Sequence, residues 1–487
     1  MNRIFNYSAS VLGLLGLALG GCQPNIDAPA ASAGTATFTT YLAVGNSLTS
    51  GYSDGGLYRE GQLNSYPNIL SQQFAAVGGG AFTQPLFTEA QANGTGYLRL
   101  TGFANGAPVT AAVTSNLAVR GLSAANGQVL YTKFTDPVNN LGVPGIRLAD
   151  IQTVGYGSVA GNAYFERITP DASASQTYFQ RMQATVAALK PTFFTEWLGN
   201  NDVLGYATGG GGSPSPTATI TRTDTFTLKL NRVLNVLTSG GAKGVVATIP
   251  DVTGIPFFTT VGPSARAALA AASIPTAAPF VYTTGLLAPG QANTRVTGTL
   301  ADIRVSGTGT LLLTLTAAPY VSLYGRPTGK YWRDYYQQLR PSLPATVPTF
   351  GVFLAAMQID TTKAFGMSTG NPFPSVLVLD GTEQTAVANA TTAFNNAIVA
   401  ATTARSLALF DANTYFRGVA INGQASNAVS NSASYVSGNL FGLDGVHPTP
   451  RGYALIANEI LRSINATYGS SFNGVNANDY RGVSFPQ

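Results

Sequence analysis

The sequence predicts an α/β domain built on a parallel sheet with helices on both faces. Two patterns predict it: strand-like apolar runs that alternate with helical periodicity, and stretches of different texture that interrupt the alternation without ending it. The first strand is Tyr41-Leu42-Ala43-Val44, which ends at Gly45 and is followed by turn residues. Phe179, Met182, Val186 and Leu189 share one helix face, and Thr192 to Leu198 then reads as a buried strand. Phe226, Leu230, Val233, Leu234 and Leu237 give a second amphipathic helix, followed by a strand from Gly244 to Ile249. The last helix follows Pro450 and carries Tyr453, Ile456, Ile460 and Ile464 on its apolar side.

Three stretches interrupt this rhythm. Gly80 to Lys133 is rich in Gly, Thr and Asn, Gly205 to Thr221 is a glycine-rich loop, and Pro256 to Pro348 contains the β-like run Thr294 to Leu315. They are read as insertions near 80–133, 205–221 and 256–348 into one domain spanning 38–470, because motifs on either side of them belong to one site. Residues 471–487 form a C-terminal tail.

Charged residues make up 10% of the chain, against about 25% in an average soluble protein. Thr, Ser, Ala, Asn and Gly take the surface that Lys and Glu would cover, a bias that suits a protein working outside the cytoplasm. The net charge is +5 and the basic residues are scattered. Without a basic cluster interleaved with aromatics there is no footprint for nucleic acid or for an anionic membrane surface.

The chain has one cysteine, Cys22, so neither an intramolecular disulfide nor a cysteine metal site is possible. It closes a segment with the layout of a secretory signal: Arg3 near the start, an apolar stretch from Val11 to Leu19, and Gly20 and Gly21 at the boundary. That stretch is too short to span a bilayer. Leu19-Gly20-Gly21-Cys22 resembles a bacterial lipobox. The resemblance implies that residues 1–21 are removed and that Cys22 is lipidated, anchoring the protein to the cell envelope; the alternative is an ordinary cleaved signal. Residues 22–37, rich in Ala, Pro, Ser and Gly, read as a flexible tether.

The chain also has one histidine, His447, in Asp444-Gly445-Val446-His447-Pro448-Thr449. Histidine is the usual general base at neutral pH. A carboxylate three residues before it can bend back to one ring nitrogen, fix the tautomer and leave the other nitrogen free to take a proton. At the other end of the chain, the first strand runs into Gly45-Asn46-Ser47-Leu48-Thr49-Ser50-Gly51. A serine at the tip of a strand lies where ligands bind in open parallel sheets. A packed histidine and a helix-capping serine are the alternatives for each residue taken alone.

Taken in order, four segments resemble the blocks of the SGNH (GDSL-like) hydrolases. Gly45-Asn46-Ser47-Leu48 is similar to the first, Asn140-Leu141-Gly142-Val143-Pro144-Gly145 to the second, Gly199-Asn200-Asn201-Asp202 to the third, and Asp444 to His447 to the last. The resemblance implies a three-layer α/β/α, flavodoxin-like fold without a cofactor. It further implies a nucleophile Ser47, a base His447 and an orienting acid Asp444, with an oxyanion hole made by the Ser47 and Gly145 amides and the Asn201 side chain. The acid that usually precedes the nucleophile in that family is Asn46 here.

Asp202 reads as a loop-fixing residue, and Ile249-Pro250-Asp251-Val252 resembles a loop near the mouth of such sites. Tyr331, Trp332, Tyr335 and Tyr336 form either the packed face of a helix or the lining of a sugar or acyl pocket. One histidine and one cysteine leave no metal-ligand set. The expected function is therefore a lipid-anchored ester hydrolase acting on acylated carbohydrate or lipid. The alternative is a surface lipoprotein that binds glycans on an inactive scaffold of the same kind.

Overall fold

The computed structural model describes residues 30–104, 107–291 and 293–486. Its centre is a five-stranded parallel sheet formed by β1 (Tyr41–Gly45), β2 (Asn140–Gly142), β3 (Phe193–Trp197), β4 (Lys243–Ala247) and β5 (Ala408–Phe410). The spatial order is β5-β4-β3-β1-β2, with Tyr41 opposite Phe193 and Ala43 opposite Asn140. Read from the other edge this is 2-1-3-4-5, one of the doubly wound orders. Every residue of β1 and β3 is buried, as expected for strands covered on both faces.

Seven helices matter for the site: α1 (Tyr66–Ala75), α2 (Tyr178–Leu189), α3 (Asn201–Thr208), α4 (Thr223–Thr238), α5 (Lys330–Leu339), α6 (Gly381–Thr403) and α7 (Pro450–Tyr468). Right-handed crossovers decide their faces. The step from β1 to β2 runs one way along the sheet and the steps to β3, β4 and β5 run the other way, so α1 lies on one face while α2, α4 and α6 lie on the opposite one. Helix α7 follows β5 and returns to pack beside α1. Tyr66, Phe74 and Tyr468 of these two helices meet Trp197 and Phe193 of β3.

Local signals explain where the helices begin and end. Thr177 and Gln180 form a capping box on α2, Asp380 and Glu383 form one on α6, and Thr449 caps α7 ahead of Pro450. Each cap satisfies amides that have no partner within the helix.

The inserted stretches differ in part from expectation. Residues 80–133 carry two antiparallel hairpins, Leu98–Ala104 with Ala107–Ala112 and Val119–Leu122 with Val129–Tyr131. The region 205–221 is not all loop, because α3 extends to Thr208. Thr294 to Leu315 contains strand only at Thr294–Thr299 and Leu312–Leu313, since a helical turn at Leu300–Asp302 breaks the run. The third insertion also runs beyond 348: a second apolar core, separate from that of the sheet, gathers residues from Val261 to Val378.

The termini are corrected as well. The described part of the predicted tether, residues 30–37, is docked: the Thr35 amide donates to Tyr468 O at 2.8 Å, the Ser471 amide donates to Ser32 O at 3.0 Å, and Ala36 is buried. A segment that docks on the end of α7 in this way does not act as a spacer. The described part of the tail, 471–486, packs back too, burying Phe472 and Ala477. Cys22 and the expected signal segment 1–21 lie outside the described residues. Among the described residues no helix is long and apolar enough to cross a membrane.

Candidate active site

The site lies at the carboxyl end of the sheet between β1 and β3, where the strand order reverses and doubly wound sheets bind ligands. Gly45 ends β1 in a place that excludes any side chain, because a Cβ there would sit 2.0 Å from Thr49 Oγ1. Ser47 then opens a single helical turn, Ser47–Ser50, closed by Gly51 in the left-handed region at φ 82°. Asn46 Oδ1 caps that turn by accepting from the Leu48 amide at 3.0 Å. Its Nδ2 is buried without an acceptor among the described residues.

Ser47 Oγ is 2.9 Å from His447 Nε2, and His447 Nδ1 is 2.7 Å from Asp444 Oδ2. Serine and histidine are 400 residues apart in sequence. Asp444 Oδ1 also accepts from the Val446 and His447 amides, both at 2.9 Å, and Oδ2 accepts from the Gly55 amide at 2.9 Å. Burial alone would raise this carboxyl, but the His447 charge and these hydrogen bonds outweigh it and hold the pKa below the ordinary value. Asp444 is thus an ionised acceptor fixed on the imidazole. The Tyr52 ring packs on the imidazole with centroids 4.5 Å apart.

The expected oxyanion donors come from two neighbouring loops that lock each other. Asn201, at the start of α3 just after β3, donates Nδ2 to Ile146 O at 2.9 Å. That leaves its second N–H uncommitted to Ile146. Asp202 accepts from the Leu148 amide at 2.6 Å, the Ala149 amide at 3.0 Å and the Thr221 hydroxyl at 2.7 Å. Burial raises its pKa to about 6, against the pull of these hydrogen bonds. Asp202 therefore fixes its loop.

Gly145 lies exposed in the turn after β2, at φ 78°. Asn162 Nδ2 donates to Pro144 O at 2.9 Å, so in the trans peptide shared by these residues the Gly145 N–H points the opposite way.

Ser47, Asn201 and His447 line one cavity of about 50 Å³, otherwise walled chiefly by Leu48, Leu204, Val252, Ile255, Phe416 and Phe441. Asp444 sits behind the histidine and Gly145 outside this wall. Pro250 and Val252 also face the cavity, while Asp251 caps the turn Val252–Gly254 by accepting from the Thr253 amide at 2.9 Å.

Sequence reasoning missed the supporting residues Tyr52, Asp54, Gly55, Asn162 and Arg481. Asp54, itself at φ 51°, accepts from the Leu443 amide at 2.9 Å and the Tyr58 hydroxyl at 2.8 Å. Arg481 pairs with Glu60 at 2.7 Å and donates to the Tyr58 hydroxyl at 2.8 Å. The Asp54-Gly55 dipeptide is a turn signal and is the local clue to a fixed loop beside Ser47. No family model, no curated protein and no solved structure matches the chain.

Proposed function

We propose that this chain is a serine ester hydrolase of the SGNH (GDSL-like) kind, with the fold of that family and with Ser47 as nucleophile. The observation that carries the reading is the unbroken relay Ser47 Oγ, His447 Nε2, His447 Nδ1, Asp444 Oδ2 at the switch point of the sheet. It has the geometry by which a base activates a hydroxyl and an acid orients the base.

In this mechanism Ser47 Oγ attacks the ester carbonyl carbon while His447 Nε2 takes its proton. The carbonyl oxygen becomes negative and is met by the Ser47 and Gly145 amides and the free N–H of Asn201. His447 returns the proton to the alcohol oxygen as the ester C–O bond breaks, leaving acyl-Ser47. A water molecule repeats the sequence, delivering its proton to His447, and the acid is released with Ser47 restored. The apolar wall of the cavity favours an acyl group over a charged one. The lipobox-like segment ending at Cys22 supports a lipid-anchored protein on the extracytoplasmic side of the envelope.

Hydrolysis of p-nitrophenyl esters from acetate to palmitate, beside Ser47→Ala, tests the reading. Turnover by the native protein that vanishes in the variant is expected. Equal turnover in both would overturn the mechanism.

A further inference from the structure

A second cavity, larger than that at Ser47, lies away from it. It measures about 770 Å³ and forms where the loop after α3 meets the second core, between residues 208–216 on one side and α5 with the segment that follows it on the other. This is the size of a site for a sizeable ligand. Its chemistry is distinctive in one respect: none of the described residues lining it is charged. Lys330 and Asp334, which reach the Tyr320 ring, are paired with each other at 2.6 Å, so the wall offers a charged ligand no uncommitted partner.

What the cavity offers instead is the partly exposed ring of Tyr320, set against the buried Tyr331 and Tyr335, and neutral hydrogen-bonding groups. Tyr331 and Tyr335 stack at 5.7 Å with planes 21° apart, and Tyr320 meets Tyr331 edge-on at 4.9 Å. Tyr335 is held by its hydroxyl on Leu287 O at 2.7 Å, and Tyr320 by its hydroxyl on Asp334 Oδ2 at 3.1 Å. The rings are therefore fixed before any ligand arrives. Ser213, Gln338 and Ser342 add donors and acceptors to the wall. The fixed and partly exposed Tyr320 ring can receive the C–H side of a pyranose, and with hydroxyls and an amide around it and no ionised side chain in the wall it suits an uncharged sugar chain.

The place of the cavity relates it to the nucleophile. Asn201 at one end of α3 lines the Ser47 cavity, and Thr208 at the other end lines the large one. An eight-residue helix separates its ends by about 10 Å. The Ser47 cavity, at about 50 Å³, has room for an acyl group of only a few heavy atoms.

We infer that the large cavity binds a neutral oligosaccharide and holds the glycan whose short O-acyl esters are cleaved at Ser47. The second half of this inference rests on the ester-hydrolase reading, whereas the first half does not.

The test is calorimetric titration of the full protein with neutral gluco-, manno-, galacto- and xylo-oligosaccharides of four to six sugars. Uronate and sulfated oligosaccharides and a proline-rich peptide are run beside them. Ser342→Trp fills the cavity from an exposed position, and Tyr320→Ala removes one ring.

At least one neutral oligosaccharide is expected to bind, with affinity at least tenfold weaker in both variants and p-nitrophenyl acetate hydrolysis unchanged. The inference is overturned if no neutral oligosaccharide binds, if only the charged ones or the peptide bind, or if both variants bind like the native protein. Neutral-sugar binding that is lost in the variants, in a protein that hydrolyses no ester, would leave the cavity assignment standing and remove the hydrolase reading.

Discussion

The Gly55 amide donates to Asp444 Oδ2 at 2.9 Å, joining residues 389 positions apart. It does so inside a larger clasp, because Asp54 accepts from the Leu443 amide next to Asp444 and Arg481 from the C-terminal segment pairs with Glu60. The loop after Ser47 thereby holds the loop that carries His447.

Arg481 is a positioning residue in this clasp. Burial raises the Asp54 carboxyl above its ordinary pKa, and the Arg481 charge opposes that rise. In Arg481→Met the carboxyl should protonate at higher pH and weaken its hold on Leu443. The acid limb of the kcat profile for p-nitrophenyl acetate is expected to move to higher pH, with KM little changed. An unmoved limb would mean that Arg481 merely secures the terminus.

Asp444→Asn keeps the shape of the relay but presents an amide to His447 Nδ1, which favours the wrong tautomer. A fall in kcat of about 10⁴-fold is expected. Circular dichroism matching that of the native protein would assign the loss to the relay. A fall of less than tenfold would remove Asp444 from the acid role.

Asn162→Asp separates two tasks of one side chain. Its oxygen can still accept from the Tyr164 and Phe165 amides that Asn162 caps, but it cannot donate to Pro144 O. With the Pro144–Gly145 peptide released, kcat is expected to drop about 10-fold to 100-fold while Tm stays close to native. Asn201→Ala, which deletes a proposed donor outright, should cost about 100-fold to 1000-fold. Unchanged kcat in both variants would relocate the oxyanion site.

Glu196 lies buried in β3, with its Oε1 accepting from the Leu198 amide at 3.1 Å. Burial raises its pKa from 4.5 to about 8. Between these values the folded protein keeps a proton that the unfolded chain has released, so this residue makes stability fall as pH rises, by about 1.4 kcal/mol per unit. Below 4.5 both states are protonated and the effect vanishes. Glu196→Gln should flatten that fall in urea titrations across the range. Parallel curves for the two proteins would show that Glu196 is ionised in the fold.

Much of the sheet was legible because strand and helix signals are local. The apolar run Tyr41 to Val44 and the helix faces of α2, α4 and α7 could be read within windows of a few residues, and capping boxes such as Thr177 with Gln180 mark ends by the same short-range chemistry. Ser47, His447 and Asp444 stood out for equally local reasons: a serine at a strand tip, a single histidine, and a carboxylate three residues before it.

Contacts between distant segments were decided only by the tertiary structure. The pairing of Gly55 with Asp444, the Asn162 hold on the peptide before Gly145, and the clasp of Arg481 on Glu60 each join segments whose proximity depends on crossover handedness and packing, which leave no periodic trace. The same holds for the aromatic face of α5. Its spacing allowed a packed helix face or a ligand wall, and the fold packs all four of Tyr331, Trp332, Tyr335 and Tyr336 into the second core, with Tyr331 and Tyr335 at the margin of the cavity that forms where the loop after α3 meets that core. Sequence alone determined the kind of chemistry its rarest residues can perform; the fold decided which groups hold them in place and what space lies beside them, because those are properties of surfaces brought together.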